Sequence, residues 1–286
     1  MRLSTEAVRY DLNAIRTKQL PILDCLDKVC REHGLQYYIW AGTQLGAVRH
    51  GGFIPWDDDM DIGMPRPDYE RLMAHCQEWM PEPFEVIGSH NRPDYPYPFA
   101  KAINGSTTLL ERPDFMFPEG LYIDIFPLDG YPSDEQQARQ HVKRYKFWRH
   151  LLFLRGRDPF KHGHGPRSWW PWLIHKVFTL RWMQNKVQGI MREYAFDACE
   201  RSIDHKLLEH GIVEKNWLGK GKTYEFEGKK YIGVDDADSC LRAFYGDYMT
   251  LPPKEKQVQH VYHYVNLDVP YREYAKQNNI TIPSYQ

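Results

Sequence analysis

The chain has 286 residues, 42% of them hydrophobic and 26% charged, with a formal net charge of -1, which describes an ordinary globular protein large enough for one large domain or two small ones. No apolar run approaches the ~18 residues of a spanning helix, so an integral helical membrane protein is excluded. Five scattered cysteines with no Cys-x-x-Cys exclude a disulfide framework and a zinc knuckle; with no apolar leader at the N-terminus, the expected location is the cytoplasm.

In chain order, residues 6–33 carry an apolar stripe that predicts a helix, with Pro21 as its candidate break and Gly34 as its stop. Tyr37–Trp40 predicts a short strand, Gln44–Arg49 a helical turn and Met60–Met64 a second strand. Asp68–Trp79 reads as an amphipathic helix behind Pro67. Phe84–Ile87, Phe99–Ile103 and Leu121–Phe126 are rich in aromatic and β-branched residues and read as strands. Helical patterns follow over 136–154 and from Trp169 to Asp204. Short strands at Tyr224–Phe226 and Lys230–Gly233, a helix over Ala237–Phe244 and a Pro252-Pro253 stop close the series. This order predicts an α+β fold with a mixed sheet flanked by helices. Three segments are expected: a catalytic core at 1–135, a basic Trp-rich helical segment at 136–220, and a C-terminal segment at 221–286 that returns to the core.

Charge is segregated along the chain. Residues 136–192 carry 13 Lys or Arg against a single acid, Asp158. Trp148, Trp169, Trp170, Trp172 and Trp182 are interleaved with these cations, a composition suited to anionic lipid headgroups at an inner membrane leaflet. The competing expectation is a helical subdomain with its Trp packed inward.

The densest chemical signal lies between Gly42 and Gly63. Asp57, Asp58, Asp59 and Asp61 crowd into five positions, and such repulsion calls for a cation; hard carboxylate oxygens suit Mg²⁺ or Mn²⁺. Side chains alternate along a strand, so Asp59 and Asp61 share one face while Met60 and Ile62 enter the core. Asp57 has the same parity but follows Pro55-Trp56, which makes it an assistant; Asp58 faces the other way. Asp124, alone among apolar strand neighbours, is expensive to bury without a partner and is the expected third ligand. Gly42-Thr43 follows a strand and opens a turn, a backbone suited to cradling phosphate. A calcium loop is rejected because Ile62 stands where that loop needs glycine. Asp129, in Leu-Asp-Gly, reads as a turn residue.

Trp40–Gly63, together with Phe99-Ala-Lys101 and Tyr122-Ile-Asp-Ile-Phe-Pro-Leu-Asp-Gly130, closely resembles the LicD family of phosphocholine transferases. That family includes the fukutin-related proteins and belongs to the nucleotidyltransferase fold superfamily. Leu241–Pro253 looks like its C-terminal signature. The family pattern usually has Gly where this chain has Ala41, and Leu at Gln44, which would set a polar group near the phosphate turn. The resemblance implies transfer of a phospho-alcohol, phosphocholine first among the candidates, from a CDP-linked donor to a hydroxyl of a glycan or lipid-linked glycan. It implies a metal at Asp59, Asp61 and Asp124, with Gly42 and Thr43 at the donor phosphates. Arg49, His50 and Lys101 are candidate cationic clamps on those phosphates. The rival enzyme is a nucleotidyltransferase releasing pyrophosphate; the rival outside enzymes is a polyanion-binding protein. No nucleic-acid partner is expected, since the strands carry carboxylates rather than aromatics with basic residues.

Overall fold

The computed structural model describes residues 10–112, 117–161 and 163–285, so the first part of the expected N-terminal helix lies outside the described residues. Helix α1 (Leu12–His33) starts at Asp11, whose carboxylate accepts the Asn13 N–H, and ends at Gly34 with φ 60°. Pro21 sits inside it without breaking it. The ring lies on the exposed side while Ile15, Ile22, Leu23 and Leu26 are fully buried, and the packing of that face outweighs one missing N–H.

The chain then forms β1 (Tyr38–Ile39), α2 (Ala41–His50), β2 (Asp61–Pro65), α3 (Arg66–Trp79), β3 (Phe84–Ile87), β4 (Ala100–Leu110) and β5 (Glu119–Tyr131). Three helices follow, α4 (Glu135–Gly156), α5 (Pro166–Val177) and α6 (Leu180–Met191). After them come β6 (Arg201–Asp204), β7 (Ile212–Glu214), the single turn α7 (Lys215–Leu218), the hairpin β8 (Lys222–Phe226) and β9 (Lys229–Gly233), α8 (Ala237–Tyr245), β10 (Tyr264–Asn266) and α9 (Tyr271–Gln277).

Strand β5 is the axis of the main sheet. All of its residues are buried, and it pairs in parallel with β2 and antiparallel with β4 and β6. The edges are made by β1 on β2, β3 and β10 on β4, and β7 on β6. One face, carrying Ile62, Met64, Ile123 and Ile125, packs on α1 and α3 through Leu23, Leu26, Leu72 and Met73. The opposite face, carrying Phe126 and Leu128, packs with Trp40, Leu45, Leu241 and Phe244. Helices therefore flank a mixed sheet, as an α+β fold requires.

Two readings of the middle segment need correction. The helix expected from Trp169 to Asp204 is interrupted at Phe178, and Thr179 caps α6 by accepting the Trp182 N–H. From Arg201 the chain is strand, because Ser202 and Ile203 are buried in the sheet between β5 and β7. Asp129 is no turn residue either. It lies within β5, fully buried, and takes both Arg66 Nε (2.6 Å) and Arg66 Nη2 (2.7 Å).

Candidate active site

Register brings the acids together. In the parallel pairing of β2 with β5, Asp61 stands beside Asp124 and Ile62 beside Ile125, so both carboxylates point away from the face packed on α1. The Asp124 N–H donates to Met60 O at 2.9 Å, which holds the stretch before β2 in line. On the other side of β5, Lys101 is the register neighbour of Asp124.

The turn after β1 is the first turn of α2 itself. The Trp40 N–H donates to Asp61 O at 2.9 Å, and Thr43 Oγ1 accepts the Asp61 N–H at 2.8 Å. The Thr43 hydroxyl, expected at donor phosphates, thus holds the start of β2 at Asp61. Gly42 is half-buried beside the acids: a Cβ there would lie 3.1 Å from Asp57 Oδ2 and 3.7 Å from Asp61 Oδ2. Its backbone borders the carboxylates at a helix N-terminus, where the macrodipole favours a bound anion. Ala41 has φ 42°, a left-handed conformation that glycine would adopt without strain. Gln44, expected near the phosphate turn, is buried. Its Oε1 accepts the Val234 N–H at 3.2 Å and ties α2 to the segment after β9.

The acids show the strain of their crowding. Burial, then Asp59, pushes Asp57 up to about 8. Burial followed by Asp59 and Asp124 raises Asp61 well above the carboxylate range. Asp124 is pushed up to about 6 by burial, against the pull of Lys206 and Lys101. Asp124 Oδ1 is buried with no hydrogen-bond partner among the described residues. A cluster of hard oxygen donors that resist ionisation, one of them orphaned, fits a divalent cation.

Two clefts meet at Asp59. One, about 420 Å³, is lined by Gly42, Arg49, Asp57, Asp59, Asp61 and, from the C-terminal segment, Tyr245 and Tyr248. The other, about 560 Å³, includes Asp59, Asp124, Lys101, Lys206 and residues of α4 such as Tyr145 and Arg149.

The three expected clamps fare differently. Arg49 lines the smaller cleft and donates to Tyr248 O, tying α2 to the C-terminal segment. His50 is exposed at the end of α2, where it accepts from Arg49 Nε at 3.0 Å. Lys101 is buried, with its ammonium 2.7 Å from Glu119 Oε1, 3.1 Å from Glu111 Oε2 and 3.4 Å from the centre of the Tyr122 ring. Its charge is consumed inside the protein, so a free phosphate clamp is not what the fold makes of it. Burial works against its charge, but Glu111 and Glu119 outweigh that and raise its pKa.

The ammonium that reaches the acids is one the sequence did not flag. Lys206 Nζ lies 3.7 Å from Asp124 Oδ2 and over the rings of Phe99 and Phe126. It sits two residues past the end of β6, just beyond the stretch read as helix. Asp58, expected on the opposite side from Asp59, is fully buried and accepts from the Tyr10 hydroxyl and from His260 Nδ1 at 2.7 Å. Its bond to His260, over the pull of burial, lifts His260 to about 9. Asp58, Asp59 and His260 lie close enough to share an ion. Asp58, however, already takes Tyr10 and His260, and its fit is that of an anchor for the C-terminal segment.

The chain is similar in sequence to known proteins. Residues 34–162 match the LicD/FKTN/FKRP nucleotidyltransferase domain. The lipopolysaccharide cholinephosphotransferase LicD of Haemophilus influenzae is 28% identical over 261 residues, 86% of this chain and 95% of that protein. Human ribitol 5-phosphate transferase FKRP is 27% identical over 124 residues, 42% of this chain and 22% of that protein. An uncharacterized protein of Rickettsia prowazekii is 33% identical over 118 residues, 41% of each chain.

Proposed function

The chain carries a LicD-family nucleotidyltransferase domain at residues 34–162, and from that premise we propose that it transfers a phospho-alcohol from a CDP-linked donor to a hydroxyl of a glycan or lipid-linked glycan. Phosphocholine is the leading head group, in line with the relative that aligns over most of this chain. Asp59, Asp61 and Asp124 are the proposed ligands of a divalent ion, Mg²⁺ or Mn²⁺, with Asp57 beside them. When bound, that ion would offset the negative charge of the donor pyrophosphate and of the departing CMP.

The chain's own groups do the rest. The N-terminal turn of α2 at Gly42 brings backbone N–H groups and the positive end of the helix to the donor phosphates, and Arg49 adds a cation on the same cleft. A carboxylate of the cluster that is not taken up by the metal receives the proton of the acceptor hydroxyl. That oxygen forms a bond to the head-group phosphorus, the bond to the CMP oxygen breaks, and CMP leaves. The observation that carries the reading is the pairing of Asp61 with Asp124, whose buried Oδ1 lacks a partner among the described residues.

The test is product analysis with CDP-choline, CDP-ethanolamine and CDP-ribitol, with and without Mg²⁺. Magnesium-dependent release of CMP and a phosphodiester product support the proposal. Transfer of CMP from these donors with release of the free phospho-alcohol, or release of pyrophosphate from CTP with transfer of CMP in a parallel assay, would replace it with the nucleotidyltransferase reading.

A further inference from the structure

The middle segment carries a second surface that the transfer chemistry does not use. In α5 only Ser168 and Ile174 are buried, while Trp169, Trp170, Trp172, Leu173 and Val177 stand 67, 57, 44, 43 and 60% exposed. At 3.6 residues per turn, Trp169, Leu173 and Val177 form one row, with Trp170 and Trp172 on its flanks. The helix is fixed in this attitude from behind. Ile174 packs with Leu151, Leu152 and Met183. Arg155 Nε donates to Phe178 O at 2.9 Å, and His175 Nε2 lies 3.3 Å from Leu154 O.

Three tryptophans turned outward form a surface that calls for a cover, and its surroundings say of which kind. The 136–192 segment carries 13 Lys or Arg against one acid, and the exposed Arg167 and Lys176 belong to α5 itself. The Lys176 ammonium lies 5.9 Å from the Trp172 ring, an apolar body with a cationic tip. A second copy would set this cationic segment against itself across a two-fold contact, which is repulsive. An anionic lipid surface matches both the charge and the indole rings, which favour the headgroup level.

We propose that α5 is an interfacial anchor lying in the headgroup layer of an anionic membrane. It rests on the proposed function only in its purpose. The half of α4 that holds α5 also lines the larger cleft through Leu152 and Phe153. Docking α5 therefore brings that cleft to the surface where a lipid-linked acceptor resides.

The experiment is co-sedimentation of the full chain with vesicles of mixed phosphatidylcholine and phosphatidylglycerol, against vesicles of phosphatidylcholine alone. Binding to the mixed vesicles at low salt, weakened by added salt, is expected. The exposed triple variant Trp169→Ser/Trp170→Ser/Trp172→Ser should lose it with an unchanged melting temperature. Arg167→Gln/Lys176→Gln should weaken it roughly 30-fold, about tenfold or less per charge. No binding to mixed vesicles at low salt, or unchanged binding by the Trp variant, overturns the anchor. So does a dimer in light scattering that the Trp variant abolishes, since the face would then be covered by a second copy. Vesicle binding is read without turnover: its failure leaves CMP release standing, and failure of CMP release leaves the anchor standing.

Discussion

Asp61 and Asp124 stand side by side across the parallel pairing of β2 and β5, and burial raises the pKa of both. Their closeness is set by backbone register, which holds the two Cα positions side by side. Asp61→Asn and Asp124→Asn should each lower transfer by on the order of 10³-fold, through loss of a ligand worth several kcal/mol to the charged transition state. The metal-free variants should melt no lower than the parent, because one repelling charge is gone. CMP release and melting in EDTA check both halves. An active, folded Asp61→Asn protein would remove the metal assignment.

The same crowding sets a pH dependence. A carboxyl whose folded pKa is raised contributes stability that is fully present below the unfolded value and is lost as pH rises through the folded one. The ordinary value is 3.8 for both Asp57 and Asp124, and their folded values are about 8 and about 6. In EDTA, this part of the stability should therefore decline from pH 4 to pH 8, and Asp57→Asn should flatten the upper part of that decline. Mg²⁺ should act in the opposite sense and stabilise most at pH 8, where the ligands are ionised. Melting curves across this range, with and without Mg²⁺, decide it; a magnesium effect that does not grow with pH would contradict it.

Much of this site is legible in the sequence because its parts are local. Alternation places Asp61 opposite Ile62, and a lone acid in an apolar strand marks Asp124, but β2 begins at Asp61, so the parity expected for Asp59 has no strand to act in. The roles of Lys101 and Lys206 are not legible. Both depend on which strands become neighbours of β5, and nothing local to Lys101 announces that Glu111 and Glu119 will take up its charge. Lys206 follows a four-residue strand, too short for periodicity to show, and it meets Asp124 only because β6 pairs with β5. The Trp-rich helices illustrate the limit from the other side: composition allows Trp inward or outward, and only packing shows four of the five exposed.

Lys206 makes a separate prediction. Its ammonium lies 3.7 Å from Asp124 Oδ2 and pulls that carboxyl downward. Removing it in Lys206→Met leaves a more negative site at high pH and a more easily protonated one at low pH. The variant should thus bind Mg²⁺ more weakly than the parent near pH 6 and more tightly near pH 9, while Lys206→Arg keeps the parent profile. Calorimetric titration at the two pH values reads this crossing directly. A uniform loss at both would mean that Lys206 acts by packing on Phe99 and Phe126 alone.

Gly42 separates stability from activity. It lies in the first turn of α2, and its φ is not in the left-handed region that would demand glycine. Alanine there should gain up to ~1 kcal/mol of helix propensity. Against this stands a Cβ contact of 3.1 Å with Asp57 Oδ2, the mobile end of a side chain, which a shift of a few tenths of an ångström relieves at small cost. Stability should therefore stay within about 1 kcal/mol of the parent. Function should not, because the methyl occupies the space between Asp57, Asp61 and the N-terminal turn, where the donor phosphates have to approach the backbone. Gly42→Ala should raise the KM for the CDP-linked donor and lower kcat/KM by at least about tenfold, equivalent to ~1.4 kcal/mol of lost transition-state binding. Its melting curve should match the parent. A Gly42→Ala enzyme with parental kcat/KM would move the donor phosphates away from this helix terminus.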